Sequence, residues 1–418
     1  MRSNYICALD IGSSKISAVV ARIERRHIAN LFFETIPVKG IQKGTVVDSI
    51  DLISSISRAL KNLKVKSGIN IKFIYANLSG QDIITKHSCA IIPLAERGNK
   101  VITLSDIQKV NEQARILGSS LEEEIIHKIP FSYTIDSKNN IPNPLGLYSH
   151  RLEVDLYLIC SKLSSLQSLT RAVNQAGYEI KDLFFSGIAT SEAAFDRELK
   201  EGLNIFCDIG SDITELLIFQ DGMLKNIEIL PIGGADLTKQ LQEELKIPFD
   251  LAEDVKRSYA SAADHIQINE EREILIKKNH LYKPIKQRLV SEIVTAKAKL
   301  ICQKIKDAVE KNTTSNQVDN FVTVGRTVLL EGFLETLENS LGISVKIGRV
   351  NNPKISSLVN KDNISSGQKY LTYLTALGLV CQALHDRQEN QNLTAHQLTR
   401  NPILKIINKF KEIYQEYF

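Results

Sequence analysis

Two stretches of the chain share Asp-Ile-Gly-Ser after an apolar run, Ala8-Leu9-Asp10-Ile11-Gly12-Ser13-Ser14-Lys15 and Phe206-Cys207-Asp208-Ile209-Gly210-Ser211-Asp212-Ile213. In each, an apolar run ends in Asp-Ile-Gly-Ser and a second apolar run follows, which predicts a β-hairpin. Because the aspartate stands at the same place in both copies, we expect two pseudo-equivalent domains that face one ligand.

The residues of these two turns suit a ligand that carries phosphate. Small side chains let backbone N–H groups approach phosphate oxygens, and they are present at Gly12, Ser13, Ser14, Gly210 and Ser211. Lys15 would neutralise a terminal phosphate, and Asp10 and Asp208 could hold Mg²⁺ mainly through its water ligands. A single Asp-Ile-Gly-Ser is compatible with an ordinary turn, whereas two copies between matched strands favour a ligand site.

Composition limits the class of protein. The 418 residues, 43% apolar and 24% charged, predict a globular protein of two to four structural units. A net charge of +4 is too small to indicate nucleic acid as the main ligand. The six cysteines form no metal-binding or redox motif, so we expect reduced core thiols in a cytoplasmic protein. We expect neither a signal peptide nor a transmembrane helix.

Apolar periodicity predicts an α/β chain with a small strand–helix–strand–strand module at residues 81–162. The helix of this module is predicted to begin with a capping box of Ser105 and Gln108 and to end at Leu117. A strand over Ile125–Ile135 is expected to be broken at Pro130.

Further elements are predicted outside the module. We expect a short helix over Ser191–Leu199 and a long one over Leu281–Lys306. The polar, Gln/Asn-rich residues 386–401 predict a linker.

The C-terminal residues 402–418 predict a separate amphipathic helix. Its apolar face repeats at a spacing of three to four and consists of Ile403, Ile406, Ile407, Phe410, Ile413 and Tyr414. Lys405 and Lys409 lie off that face. A helix this short needs a surface that buries its apolar side, and an anionic membrane fits both the apolar face and the lysines. Packing on a partner or on the body of the protein is the alternative.

The hairpin pair resembles the phosphate-1 and phosphate-2 loops of the actin–Hsp70–sugar kinase superfamily. Ile232 to Asp236 is similar to the turn that follows phosphate 2, and Phe321 to Thr327 is similar to the adenosine motif. Three further stretches resemble the bacterial cell division family FtsA. They are Asn143–Gly146 followed by Arg151–Val154, Ala176–Glu179 followed by Ser186–Ala189, and Leu251–Lys256.

The resemblance implies an α/β, actin-like two-domain ATPase fold with an inserted small α+β subdomain and a C-terminal amphipathic helix. The implied division is 1–80 (subdomain 1A with phosphate 1), 81–162 (inserted 1C), 163–200 (1A), 201–235 (2A with phosphate 2), 236–300 (2B), 301–350 (2A with the adenosine motif), 351–385 (return to 1A), 386–401 (linker) and 402–418 (membrane-targeting helix).

Carried over position by position, the resemblance also implies a nucleotide site. Its residues are Asp10, Gly12, Ser13, Ser14, Lys15, Asp208, Gly210, Ser211, Asp212, Thr214, Gly233, Gly234, Glu253, Lys256, Gly325 and Arg326. The implied cofactor is ATP with Mg²⁺, which Asp10 and Asp208 would hold through water.

The sequence departs from the family pattern in two turns. Ser211 and Asp212 stand where phosphate 2 usually has glycines, which adds Cβ atoms and a negative charge beside the phosphates. The adenosine motif keeps only Gly325, followed by Arg326. We therefore expect nucleotide binding with weak or no hydrolysis, and no residue is identified as a catalytic base.

The implied function is that of a cytoskeletal adaptor on the cytoplasmic face of the cell membrane at the division site. Such a protein would bind the C-terminal peptide of FtsZ, tether FtsZ filaments to anionic inner-membrane lipid, recruit other division proteins and self-associate into filaments. Two alternatives remain: a PilM-type pilus-assembly ATP-binding protein, which shares the inserted subdomain, and a soluble ATPase of the same superfamily. The amphipathic tail favours the adaptor over the PilM type.

Overall fold

The structure is a computed structural model that describes residues 4–24, 27–95, 98–136, 138–195, 201–263, 273–278, 281–314, 317–361 and 366–398. It contains two five-stranded sheets, and a smaller four-stranded sheet is inserted into the first half. The predicted amphipathic helix at 402–418, with all of its proposed membrane residues, lies outside the described residues.

The first half opens with a buried hairpin. Its elements before the insertion are β1 (Tyr5–Ile11), β2 (Lys15–Glu24), β3 (His27–Pro37), β4 (Ile41–Gln42), β5 (Thr45–Val46), α1 (Ser49–Ser67) and β6 (Phe73–Leu78). Every residue of β1 after Tyr5 is buried, which accounts for its unbroken apolar run. β3 was not predicted, because this edge strand is only partly buried and its apolar pattern alternates weakly.

The inserted unit is an antiparallel sheet covered by one helix. Its elements are β7 (Ile83–Pro93), β8 (Lys100–Val101), α2 (Leu104–Leu117), β9 (Glu123–Ile135), β10 (Lys138–Ile141), β11 (Tyr148–Ser149) and β12 (Arg151–Lys162). The main sheet has the order β10-β9-β12-β7. Buried residues such as Val110, Ala114 and Leu156 form a core separate from that of the two larger sheets. The unit therefore has its own hydrophobic interior.

Two local predictions for this unit were wrong. The capping box of α2 is formed by Thr103 and Asp106, whose backbone and side-chain groups bond reciprocally, and not by Ser105 and Gln108. Two capping patterns overlap here, and the carboxylate of Asp106 is further fixed by Lys100. Pro130 does not break β9: the strand continues through it with a shift of register against β12.

After the insertion the first half closes, and the second half follows. The elements are α3 (Leu163–Gln175), β13 (Glu179–Phe185), α4 (Ser186–Ala194), β14 (Leu203–Ile209), β15 (Thr214–Gln220), β16 (Met223–Leu230), α5 (Gly234–Leu245), α6 (Phe249–Tyr259), β17 (Glu273–Lys278), β18 (Leu281–Lys286), α7 (Gln287–Asn312), β19 (Val318–Val324), α8 (Phe333–Leu341), β20 (Val345–Ile347), α9 (Ser356–Lys361) and α10 (Leu374–Leu398). Short 3₁₀ turns occupy Thr327–Leu329 and Ser366–Thr372.

The two large sheets have the same strand order. One runs β3-β2-β1-β6-β13 and the other β16-β15-β14-β19-β20. In both, the first three strands are antiparallel neighbours. The fourth strand pairs in parallel with the strand that carries the Asp-Ile-Gly-Ser aspartate, and the fifth pairs in parallel with the fourth. The repeat predicted from the two stretches is therefore confirmed at the level of topology.

Two element predictions in this part were wrong. The helix predicted at Ser191–Leu199 is α4, which begins at Ser186 and ends at Ala194. The helix predicted from Leu281 starts only at Gln287, because Leu281–Lys286 pairs with β17 as a strand. Pro284 within that segment lacks the N–H that a helix interior requires.

The last helix changes the interpretation of the predicted linker. α10 runs to Leu398, so most of residues 386–401 are helical, which suits their content of Gln, Leu and Ala without Gly or Pro. Its first turns pack on α4 and β1, where a Cβ at Gly378 would overlap the carbonyl oxygen of Ala189. No described helix combines the length and apolarity needed to span a bilayer.

Candidate functional site

The two Asp-Ile-Gly-Ser turns face a cleft of about 1150 Å³ between the halves of the protein. Most of the predicted nucleotide-site residues line it: Asp10, Gly12, Ser13, Ser14, Lys15, Asp208, Gly210, Ser211, Asp212, Gly234, Glu253, Lys256, Gly325 and Arg326. Thus segments separated by more than three hundred positions in the sequence meet at one place.

Thr214 and Gly233 were predicted at the site but do not line the cleft. The buried hydroxyl of Thr214 donates to the carbonyl of Ile232 at 2.9 Å. The N–H of Gly233 donates to the carboxylate of Asp236 at 2.9 Å, at the start of α5. Both residues therefore support the turns from behind.

Each Asp-Ile-Gly-Ser turn is closed by the same backbone hydrogen bond. The N–H of Gly12 donates to the carbonyl of Lys15 at 3.0 Å, and that of Gly210 donates to the carbonyl of Ile213 at 2.9 Å. The tip residues between them are left facing the cleft. The two turns are therefore equivalent in backbone geometry as well as in sequence.

A buried amide fixes the first aspartate. The side-chain N–H₂ of Asn77 donates to Oδ1 of Asp10 at 2.9 Å and to Oγ of Ser186 at 2.8 Å, and its oxygen accepts from the N–H of Ile11 at 2.7 Å. Asn77 and Ser186 line the cleft but were not predicted. The available signal was a lone polar residue inside the apolar strand β6.

Lys15 lies at the edge of the cleft and contacts the segment that precedes α10. Its ammonium lies 3.5 Å from Oδ2 of Asp10 and donates to Oγ of Ser17 at 2.8 Å and to the carbonyl of Thr372 at 2.6 Å. Burial lowers its pKa, against the opposing charge of Asp10. The cation expected to meet a phosphate is therefore held by the chain that leads into the last helix.

The floor of the cleft concentrates carboxyl groups. Burial, with the charge of Asp10 second, raises the pKa of Asp208 to about 6. Burial and then Asp208 raise the pKa of Glu215 to about 8. Sequence reasoning missed Glu215, which lies in β15, accepts from Oγ of Ser79 through Oε1, and leaves Oε2 without a hydrogen bond among the described residues.

The second turn is tied to the first half by a further bond. The N–H of Lys43, in the turn between β4 and β5, donates to Oδ2 of Asp212 at 3.1 Å. With the Ser79–Glu215 bond, this places two polar links between the halves at the same corner of the cleft. Asp212 therefore has a structural partner that its sequence context did not reveal.

Glu253 and Lys256 join two helices along the cleft wall. The Lys256 ammonium donates to the carbonyl of Gly234 at 2.9 Å, to Oγ1 of Thr238 at 2.8 Å and to Oε2 of Glu253 at 2.6 Å. Oε1 of Glu253 accepts from Nε of Arg257 at 2.7 Å. These bonds use every donor of the Lys256 ammonium and hold α6 against the N-terminus of α5.

The predicted adenosine turn packs directly on the second Asp-Ile-Gly-Ser turn. Gly325 has φ +94°, and a Cβ there would overlap the carbonyl oxygen of Ile209. The hydroxyl of Thr327 donates to the carbonyl of Gly210 at 2.8 Å. Between them, the Arg326 side chain is exposed to the cleft.

The carboxylates do not form a closed metal cage. Among the described residues, no group of three or more His, Cys, Asp or Glu side chains is arranged to hold a metal ion. Asp10 and Asp208 are near enough for their charges to interact, and a cation held through water would need only such a pair.

Two protein-family models match the chain. The model described as cell division protein FtsA matches residues 205–367, which include the second turn, α5, α6 and the Gly325 turn. The model of the SHS2 domain inserted in FtsA matches residues 80–160, which form the inserted sheet.

The chain belongs to the FtsA family.

Curated FtsA proteins match over nearly the whole length. The cell division protein FtsA of Borreliella burgdorferi is 26% identical over 398 residues, covering 94% of this chain and 94% of that protein. FtsA of Pseudomonas aeruginosa is 22% identical, covering 93% and 91%. The family resemblance stated from the motifs is thus confirmed by independent matches along the chain.

Solved structures with similar folds extend beyond FtsA. A chain of the PilM-PilN type IV pilus biogenesis complex has a TM-score of 0.61 at 16% identity, covering 91% of this chain and 98% of that one. A chain of the MamK double helical filament has a TM-score of 0.50 at 10% identity, covering 86% and 98%. The actin-like two-domain fold with an inserted α+β domain, as predicted, is confirmed.

Proposed function

We propose that this FtsA-family protein binds ATP in the cleft between its halves and tethers FtsZ filaments to the inner face of the cytoplasmic membrane. The observation that carries the nucleotide part is the pair of equivalent turns, with Asp10 and Asp208 at matching strand ends, facing one cleft. The family itself places the protein in cell division.

The residues of the cleft fit a nucleotide with Mg²⁺. A volume of about 1150 Å³ accommodates a cofactor of this size. Asp10 and Asp208 offer oxygen ligands for the hydrated cation, and Lys15 and Arg326 offer positive charge for phosphates. The small turn residues leave backbone donors accessible.

We propose that the nucleotide acts mainly as a conformational and assembly ligand. A carboxyl with a pKa of about 8 is protonated at neutral pH, so Glu215 is a poor acceptor for a proton from water. Asp10 is committed to Asn77 and Lys15. These commitments support weak or absent hydrolysis, and self-association into filaments would be the step that nucleotide controls.

Calorimetric titration of the full chain with ATP and ADP, with and without Mg²⁺, tests the nucleotide site. We expect binding that Mg²⁺ strengthens, and an Asp208→Asn variant that loses this Mg²⁺ effect. Asp307→Asn, an exposed acid on α7 outside the cleft, is the matched control. A wild-type protein that binds neither nucleotide would refute this part of the proposal.

The membrane part rests on the sequence of the tail, with Ile403, Phe410 and Lys405 among its residues. Co-sedimentation with anionic liposomes compares the full chain with one truncated after Asn401, each with and without Mg-ATP. We expect only the full chain to sediment, and more of it with ATP. If both forms remain in the supernatant, the tail binds protein rather than lipid.

Partner binding is tested separately. We expect a fluorescent peptide with the sequence of the FtsZ C-terminus to bind the full chain and its truncated form equally, because the tail would serve only the membrane. Failure of both to bind would leave the protein in cell division without the proposed FtsZ contact. The likeness to the PilM-PilN chain, at 16% identity, supports a shared fold. It is not evidence for a function in pilus assembly.

A further inference from the structure

We propose that Arg326 is a phosphate-binding side chain of the cleft, through which this protein recognises nucleoside polyphosphates by their phosphates rather than by their base. The inference rests on the proposed nucleotide binding and adds a residue-specific role to it.

The backbone of Arg326 is clamped against the second turn on both sides. Gly325 packs so closely on the carbonyl of Ile209 that no Cβ would fit. Thr327 donates its hydroxyl to the carbonyl of Gly210. The Cα of Arg326 therefore stays beside the turn whose small residues face the ligand space, and only its side chain is free to reach into the cleft.

Arg326 differs from Lys15, Lys256 and Arg257 in having no bonding partner among the described residues. Lys15 is held by Thr372, Ser17 and Asp10. Lys256 bonds three oxygens, and Arg257 is paired with Glu253. Within the described part of the chain, the Arg326 guanidinium makes no hydrogen bond or ion pair and is exposed to the cleft. Its five donors are thus available to a ligand.

Arg326 shares the cleft with Lys15, on the opposite turn, and with Lys256 on α6. In addition to burial, its charge lowers the pKa of both lysines, and Arg257 and Glu253 of α6 in turn act on Arg326. Because the Cα of Arg326 lies beside the second turn, its guanidinium can reach the phosphates that this turn would bind. Several cations sharing this space repel one another, and an entering anion relieves the repulsion.

The negative charge of Asp212 would repel a phosphate group at the second turn, and a nearby cation would offset this repulsion. The Asp212 carboxylate is fixed by the N–H of Lys43 and adds a negative charge beside the ligand space. A polyphosphate entering there meets a like charge, which a guanidinium can offset while bonding two phosphate oxygens at once.

The test is calorimetric titration of the Mg²⁺-free full chain with adenosine, AMP and ADP. We compare the unsubstituted protein with Arg326→Gln, Arg326→Lys and the exposed surface control Arg171→Gln. Arg326→Gln should weaken ADP binding about tenfold or more while changing adenosine binding less than about twofold. Arg326→Lys should recover part of the loss, and the affinity of the Gln variant for ADP should depend less on salt.

Two results overturn the inference alone. Equal losses for adenosine and ADP would mean that Arg326 contacts the base or shapes its pocket, and unchanged ADP binding would mean that it takes no part. If the unsubstituted protein bound neither ADP nor ATP, the proposed nucleotide site would fall as well, so the two failures are distinguishable.

Discussion

The backbone N–H of Lys43 donates a hydrogen bond to the carboxylate of Asp212 at 3.1 Å, and this bond joins the two halves of the protein across the cleft. Lys43 lies in the turn between β4 and β5, where it adopts φ +48°. Close by, Ser79 donates to Glu215. Protein groups alone therefore link the halves at this corner, and the ligand space opens beside that link.

The charge of Asp212 should oppose triphosphate binding. Asp212→Asn keeps an oxygen acceptor for Lys43 and removes the negative charge. We expect ATP to bind about threefold to tenfold more tightly to this variant in the absence of Mg²⁺, because a like charge no longer faces the phosphates. Calorimetry with ATP measures the effect, and adenosine, which carries no charge, is the control ligand. Equal gains for both ligands would contradict the electrostatic explanation.

Glu215 should make stability depend on pH. Its pKa is raised from an unfolded value of 4.5 to about 8, so its contribution is complete below the unfolded value and is lost as pH rises through about 8. Glu215→Gln removes this titration. We expect the free energy of unfolding to fall less steeply with rising pH in the variant than in the wild type. The difference between the two slopes should reach up to about 1.4 kcal/mol per pH unit across this window.

Urea unfolding of the nucleotide-free protein at several pH values measures this difference. Glu335→Gln, a substitution of an acid on α8 away from the cleft, is the control. Parallel pH curves for the wild type and Glu215→Gln would show that the buried carboxyl does not hold its proton.

His127 should couple the inserted unit to the first large sheet. Its Nε2 accepts the N–H of Phe185, at the junction of β13 and α4, at 2.9 Å. His127→Ala leaves that N–H without its acceptor, and we expect a loss of about 1–3 kcal/mol together with faster hydrogen exchange at Phe185. His150→Ala, at an exposed histidine of the same unit, is the control. Unchanged exchange at Phe185 would refute the coupling.

The same histidine predicts sensitivity to acid. Burial lowers the pKa of His127 from 6.5 to about 4. The stability that it contributes is therefore complete above the unfolded value and is lost as pH falls through about 4. Between these pH values, His127→Ala should lose less stability than the wild type as pH falls, which unfolding curves can measure.

Gly325 should tolerate no side chain. Gly325→Ala faces both a positive φ and an overlap with the Ile209 carbonyl, whereas Gly342→Ala has φ +72° in open space. We expect a cost of about 1 kcal/mol at Gly342 from the backbone alone, and a clearly larger one at Gly325. Thermal unfolding compares the two, and equal costs would show that the turn can move away from Ile209.

The sequence predicted those parts of the fold in which a local pattern was strong. The repeated Asp-Ile-Gly-Ser hairpins indicated two equivalent halves, and the sheets have matching strand order. Elements with weaker local signals were missed. β3 is an edge strand whose apolar pattern alternates weakly. β18 directly precedes α7, so the sequence pattern predicted one continuous helix through both. The length of α10 was missed because polar composition was taken to indicate a linker.

The site residues that the sequence predicted are those that lie in or beside recognisable turn motifs. Fourteen of the predicted residues line the cleft because they lie in or beside turns that converge there. Asn77, Glu215 and Lys43 were missed, since their roles arise only when distant strands meet. Thr214 and Gly233 belong to the right segments but do not line the cleft, because they bond to Ile232 and Asp236, which a motif alone does not reveal.

The length of α10 also determines the orientation of its C-terminal end about the helix axis. The chain that holds Lys15 through Thr372 enters α10 two residues later, and the helix continues without a break to Leu398. Each residue of an α-helix turns the chain by about 100°. The end of α10 at Leu398 therefore has a fixed orientation about the helix axis relative to the cleft. One residue added within 386–398 would rotate that end by more than a quarter turn, whereas seven would nearly restore its orientation.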